Sequence, residues 1–253
     1  MVFAARRIVD WRDRGGAAMG FVTERKGVVP IIALDVPSSD KALSLVAELG
    51  DACRFYKIGN ELFTSVGPDV VRRVRDRGAD VFLDLKLHDI PNTVAGGVRA
   101  AAAMGARLVT VHATGGLAML RAASEAAGSD CGVLAVTVLT SLTADEVARS
   151  WGRTSVDVGD EVLRLAELAA NAGTHGIVCS GREARSVRQR FGADLAVLVP
   201  GVRAEGGAVQ DQARVVTPRE AASAGATYIV VGRMVTAAPD RAAAMAAVHA
   251  ELG

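Results

Sequence analysis

Short apolar runs alternate with longer amphipathic stretches along most of this 253-residue chain. Eight of the runs read as strands: Val28 to Leu34, Arg54 to Ile58, Val81 to Leu85, Leu108 to Val111, Gly132 to Val138, Gly176 to Cys179, Leu195 to Val199 and Tyr228 to Val231. They are mostly Val, Ile and Leu without strict polar alternation, the pattern of parallel strands covered on both faces. The stretches between them are rich in Ala, Leu, Glu and Arg and predict helices. Several open on a capping residue, such as Ser39 before Lys41 to Leu49 and Thr143 before Ala144 to Arg149. Eight strand-then-helix repeats close most simply as a (β/α)8 barrel, a fold that uses roughly 250 residues as one unit. A doubly wound open sheet is the other arrangement that the same alternation permits. No linker interrupts the pattern after Val28, so a single barrel domain is expected over 28–253. Residues 1–27 stand apart as an N-terminal extension: charged, containing Gly15-Gly16, and carrying Met19 as an alternative start. That extension is expected to be flexible or to form a helix across the barrel floor.

Composition narrows what such a chain does. With 29 basic and 28 acidic side chains the formal charge is +1, which gives no electrostatic case for nucleic acid or an anionic membrane. Small molecules and copies of the chain itself are left as partners. Half of the residues are hydrophobic, with 46 alanines and ten aromatics, a composition that excludes disorder and collagen-like repeats. Cys53, Cys131 and Cys179 each sit in an apolar run; isolated in this way they offer neither a disulfide framework nor a zinc spacing. No stretch approaches about 18 consecutive apolar residues. Arg6, Arg7, Asp10, Arg12 and Asp13 stand where a signal peptide needs an apolar core, so a cytoplasmic protein is expected.

Of the 29 basic residues 25 are Arg, leaving only Lys26, Lys41, Lys57 and Lys86. Lys57 and Lys86 interrupt strand-like apolar segments, where the chain keeps the one cation whose proton affinity can be tuned. In a parallel barrel the reactive groups come from the C-terminal ends of the strands and the loops after them. Strand one ends in Asp35, strand two in Lys57 and Gly59-Asn60, and strand three in Asp84-Leu85-Lys86-Leu87-His88-Asp89. Residues i and i+2 of a strand share a face, so Asp84 and Lys86 should both point into the barrel mouth while Leu85 packs outward. An isolated Asp-x-Lys is often a structural ion pair. With Lys57 and Asp35 at the same rim, an alternating chain of charges can fix an ammonium and leave it able to donate a proton.

Across the mouth, strand seven runs into Pro200-Gly201-Val202-Arg203 and on to Gly206-Gly207, and strand eight into Gly232-Arg233 followed at once by a helix. These are the usual phosphate loops of the fold, so a phosphate ester is the expected substrate. His175 falls at the wrong end of the barrel, and His88 and His112 lack a bracketing carboxylate at ligand spacing, so no metal is expected. Neither a dinucleotide fingerprint nor a triphosphate loop is present.

The sequence DLKLHDIPNT at 84 to 93 resembles the signature of the orotidine 5′-phosphate decarboxylase family. Agreement extends through ALD at 33 to 35, YKIG at 56 to 59, VTVLTS at 136 to 141, VCSG at 178 to 181, VPGVR at 199 to 203, DQ at 211 to 212 and VGR at 231 to 233. The resemblance covers Val28 to the C-terminus. It implies a cofactor-free decarboxylase that converts orotidine 5′-monophosphate to uridine 5′-monophosphate and carbon dioxide, working as a homodimer with shared sites. By the same resemblance Asp35 and Lys57 would hold ribose hydroxyls, with Lys57 also joining the charged chain. Asp84 would face the departing carboxylate and Lys86 would protonate the ring carbon. Asp89 and Thr93 would reach into the neighbouring subunit's site, with Ile90 between them. Thr140 would bind the pyrimidine, and Gln212 would link ring and phosphate. Arg203, Gly232 and Arg233 would bind phosphate beside Pro200. Two other functions compete. One is a barrel enzyme acting on a keto-sugar phosphate through a magnesium-bound enediolate, which would not need Thr140 and Gln212 in these settings. The other is a non-catalytic nucleotide-binding protein, which would not need all four charged residues.

Overall fold

The computed structural model describes residues 27–203 and 215–253. Eight parallel strands close a barrel in chain order: β1 (Val29–Ala33), β2 (Phe55–Gly59), β3 (Asp80–Leu87), β4 (Leu108–His112), β5 (Gly132–Val136), β6 (Gly176–Val178), β7 (Ala196–Val202) and β8 (Tyr228–Val231). Closure comes from the ladder Val29↔Tyr228 to Ile32↔Val231 between the first and last strands. This single-domain (β/α)8 barrel settles the choice against an open sheet. Outside it lie α1 (Ser39–Leu49), α2 (Asn60–Val66), α3 (Asp69–Arg75), α4 (Pro91–Ala103), α5 (Gly116–Ala127), α6 (Ala144–Ser150), α7 (Val158–Asn171), α8 (Gly181–Phe191), α9 (Pro218–Ser223), α10 (Arg233–Thr236) and α11 (Arg241–Leu252). The expected 1–26 part of the extension lies outside the described residues.

The strands lack polar alternation because each has two apolar environments to fill. Ile31, Phe55, Phe82, Leu108, Leu134, Leu198 and Tyr228 pack inside the barrel, while Ile32, Tyr56, Ile58, Leu83 and Val109 pack outward beneath the helices. Two apolar faces give a continuous hydrophobic run. The cap of α1 is Ser38, not Ser39: Ser38 is extended at φ −142°, ψ 151° and its side chain accepts from the Lys41 N–H. Thr143 caps α6 as expected, with Glu146 reaching back to complete a reciprocal capping box. At the floor, His175 and Tyr228 share a 3.0 Å hydrogen bond.

Strand β3 runs beyond the expected Leu85 to Leu87, and β7 beyond Val199 to Val202. Both extensions cross a register shift, between Leu83 and Leu87 on one strand and between Val199 and Val202 on the other. Irregularities of this kind re-aim side chains at the rim. At the second, the Arg203 N–H donates to the Val216 carbonyl at 3.0 Å, tying together the two ends of the segment that follows β7.

Candidate active site

Following the inward parity of each strand past its apolar layers leads from hydrocarbon to chemistry. Ala33 is succeeded by Asp35, Phe55 by Lys57, Phe82 by Asp84 and Lys86, Leu108 by Thr110 and His112, Leu198 by Pro200, and Val230 by Gly232. A cavity of about 560 Å³ opens there, with Asp35, Lys57, Asp84 and Lys86 on one side and Arg203, Gly232 and Arg233 among its other lining residues. Phe82, Val136, Val138, Val178, Leu198 and Val230 give it apolar walls. A planar ring with one charged edge and a distant anionic group fits such a lining.

The four charged residues form one chain. The Lys57 ammonium is 2.9 Å from Asp35 and 3.7 Å from the second oxygen of Asp84, whose first oxygen accepts from Lys86 at 2.8 Å. Asp84 is only 13% exposed, Lys57 12% and Lys86 33%, so water cannot carry the burden of solvating them. Burial alone would raise the Asp84 carboxyl, but Lys86, Lys57 and the Thr110 hydroxyl outweigh it and hold the group below its usual range. Leu85 packs outward as expected.

Lys86 is the one non-glycine residue with positive φ among the described residues, at 52°. An L residue in this region is strained by roughly 1–2 kcal/mol, and no local feature of a lysine favours it. The kink coincides with the register shift. There the Lys86 N–H donates to the Thr110 hydroxyl oxygen at 2.9 Å, and that hydroxyl donates to Asp84 at 3.0 Å.

Thr140, Pro200, Arg203, Gly232 and Arg233 all line the cavity. Asp89, Ile90 and Thr93 do not: they lie exposed at the start of α4, where the Asp89 carboxylate accepts from the Ile90 N–H at 2.6 Å and Ile90 is 66% exposed. Gln212 and Gly206-Gly207 lie outside the described residues. His88 and His112 stack loosely at 5.4 Å between ring centroids. Burial, then the neighbouring His88 and Lys86, push the His112 imidazole below its ordinary pKa. Among the described residues no three His, Cys, Asp or Glu side chains converge as a metal site requires. Sequence reasoning missed Thr110 beneath the charged chain and Ser141 in the cavity lining. Thr110 was findable as the polar residue at an inward position of an otherwise apolar strand.

The model of the orotidine 5′-phosphate decarboxylase / HUMPS family matches residues 29–248. Among similar curated proteins, the orotidine 5′-phosphate decarboxylase of Nitrosococcus oceani is 49% identical over 225 residues, covering 88% of this chain and 96% of that one. The enzyme of the same name from Halorhodospira halophila is 47% identical over 228 residues, covering 88% and 94%. The crystal structure of orotidine 5′-phosphate decarboxylase from Lactobacillus acidophilus superposes with a TM-score of 0.78 at 37% identity, covering 89% of this chain and 99% of that one. A match of this extent, over the barrel that carries the charged chain, makes this chain a member of the orotidine 5′-phosphate decarboxylase family.

Proposed function

We propose that Lys86 is the proton donor in the decarboxylation of orotidine 5′-monophosphate to uridine 5′-monophosphate and carbon dioxide, the step of pyrimidine-nucleotide synthesis that this chain catalyses. The observation that carries the assignment is the Asp35–Lys57–Asp84–Lys86 chain at one side of a cavity that also has two arginines in its lining. When the bond from the ring carbon to the carboxylate breaks, its electron pair stays in the ring plane, where no π system can spread it. A cation beside that carbon stabilises the pair, and Lys86 then gives it a proton and recovers one from water. Arginine in its place would keep the charge and release a proton poorly. Asp84 holds the ammonium and faces the departing carboxylate.

Around that centre Asp35 and Lys57 hold the ribose hydroxyls, Thr140 the pyrimidine, and Arg203, Gly232 and Arg233 the phosphate beside Pro200. Gln212 bridges ring and phosphate. Phosphate energy, though remote from the reacting bond, lowers the barrier where it is used to hold the ring against Lys86. Asp89, Ile90 and Thr93 serve the site of a second subunit. An isoleucine two-thirds exposed beside the mouth supports that placement, since a partner would bury it. A cytoplasmic location accords with three buried cysteines that form no disulfide; no helix among the described residues is long and apolar enough to cross a membrane.

The test is loss of orotidine 5′-monophosphate absorbance by purified protein with chelator present. Steady turnover is expected; no turnover, or a requirement for magnesium with a keto-sugar phosphate as substrate, would overturn the assignment. The shared site is tested by mixing inactive Lys86→Ala and Asp89→Ala subunits. Hybrid dimers should recover activity from the one site with neither lesion, and mixtures as inactive as the parents would refute it.

A further inference from the structure

We infer that Thr110 is a positioning residue for the reaction, holding both the Asp84 carboxylate and the strained backbone of Lys86 without touching substrate. Its side chain is fully buried and is absent from the cavity lining. A hydroxyl buried in hydrocarbon is costly unless both of its capacities are used. Thr137, the next buried threonine in the chain, spends its hydroxyl on the Val178 carbonyl, an ordinary structural bond. Thr110 spends both of its bonds on the strand that carries the chemistry.

The geometry makes the two bonds interdependent. The β3–β4 ladder skips from Leu83↔Val109 to Leu87↔Val111, and the Lys86 N–H in that gap finds the Thr110 oxygen at 2.9 Å. Because the oxygen is accepting, its single proton is free for Asp84, which takes it at 3.0 Å on the same oxygen that accepts from the Lys86 ammonium at 2.8 Å. One hydroxyl therefore pins the backbone of Lys86 at one end and the partner of its ammonium at the other. The left-handed φ of 52° persists because these contacts hold it. Both donors fall on one oxygen of a carboxylate that Lys86, Lys57 and the Thr110 hydroxyl itself keep ionised against its burial.

This assignment rests on Lys86 being the proton donor, so Lys86→Ala is measured alongside. Thr110→Val keeps the shape and removes the hydroxyl. It should lower kcat between about tenfold and a hundredfold, the scale of a misplaced catalytic group, while KM and uridine-monophosphate inhibition move less than about twofold. Asp84 is faced by Lys86 on its own strand, by Lys57 with Asp35 behind it, and by His112 on β4, which stacks on His88 just after β3. Losing one donor to its charged form should move the acidic limb of the kcat profile to higher pH. Thr110→Ser should restore kcat to within about threefold. Should the valine variant fail to fold, Thr110→Ser and Thr110→Ala form a second pair that lacks the methyl in common and differs only in the hydroxyl. Wild-type kcat in the valine or alanine variant, equal damage in Ser and Ala, or an unmoved pH profile would overturn the inference. Those outcomes beside a dead Lys86→Ala would leave the donor assignment standing, whereas an active Lys86→Ala would remove both.

Discussion

The two ends of the barrel handle buried polarity by opposite means. At the mouth four ionised groups alternate in sign from Asp35 to Lys86, and each desolvated charge touches one of the other kind. At the floor His175 is kept neutral: burial, and then the positive Arg107, push its pKa down to about 4, and its ring shares a hydrogen bond with Tyr228. Tyr228 in turn meets the edge of Phe55 at 6.3 Å between ring centroids. Strand parity supplies inward positions equally to both ends, so fold alone does not decide which becomes the site. The decision comes from openness: the mouth borders a cavity where substrate charge can replace water, while the floor is closed by aromatic packing. Damage at the mouth should therefore cost activity and spare the fold, and damage at the floor should do the reverse.

The largest effect is expected from Lys86→Ala, which should lower turnover by about 10³-fold or more, because the ammonium acts on charge that develops only during reaction. Lys57 stays 3.7 Å from Asp84, so the remaining carboxylate keeps a counter-charge and the protein should still fold and bind uridine monophosphate. Retention of more than about a tenth of wild-type activity would count against its role.

The floor should instead show itself in stability. His175 is neutral in the folded chain down to about pH 4, whereas an ordinary imidazole takes its proton near 6.5. Between those values the unfolded chain binds more protons, so stability falls as pH drops through the window and this contribution levels off below the folded value. The full difference is roughly 3 kcal/mol. Denaturant midpoints of wild type and His175→Gln, compared from pH 7 to pH 4.5, should converge as pH falls, with catalytic constants near neutrality little altered. Parallel curves would show that His175 does not titrate as its surroundings imply.

Arg233→Ala comes next. On the proposed phosphate role it removes paired donors to a dianion without touching the reacting carbon, and should lower kcat/KM by about 10²-fold, with kcat worsened as well as KM if phosphate energy is also used in the transition state. Orotidine without its phosphate is the control, on which wild type and variant should be almost equally poor. A variant equally impaired on that substrate would place Arg233 in support of the charged chain and not on phosphate.

Much of this was legible before any coordinates. Parity along Phe82, Asp84 and Lys86 was enough to aim two charges into one mouth, and apolar runs between amphipathic stretches were enough for the barrel. What escaped was information held between strands. The bond from Lys86 to Thr110 spans 24 residues, and it compensates a backbone strain that no lysine advertises. The extension of β7 through Pro200-Gly201 was hidden because both residues ordinarily end strands, and only the pairing of Val202 with Val231 reveals it. Ser38 and Ser39 are equal candidates for a cap until φ and ψ distinguish them.

The smallest effect sharpens the contrast between the two ends with one kind of substitution. Gly59 has φ −95° and ψ −175°, a conformation that alanine adopts freely, so backbone strain is not at issue. A Cβ there would stand 2.9 Å from the Lys57 nitrogen and 3.3 Å from Asp35. The ammonium ends a flexible stem and can move, but moving takes it from Asp35 or from Asp84. Gly59→Ala should therefore cost about tenfold in kcat/KM, equivalent to about 1.4 kcal/mol, with stability changed by less than about 0.5 kcal/mol. A loss confined to KM would mean that Lys57 serves only the ribose hydroxyls; a loss in kcat would mean that it also sets Asp84 and Lys86. Gly176, at the floor end of β6, is the counterpart. Its Cβ would meet the Ala196 carbonyl oxygen at 2.3 Å, backbone that cannot step aside, so Gly176→Ala should lower stability by about 1–3 kcal/mol, as overpacking does, and leave the KM of the folded fraction unchanged. Full activity in Gly59→Ala would show that the charged chain tolerates displacement of the Lys57 ammonium.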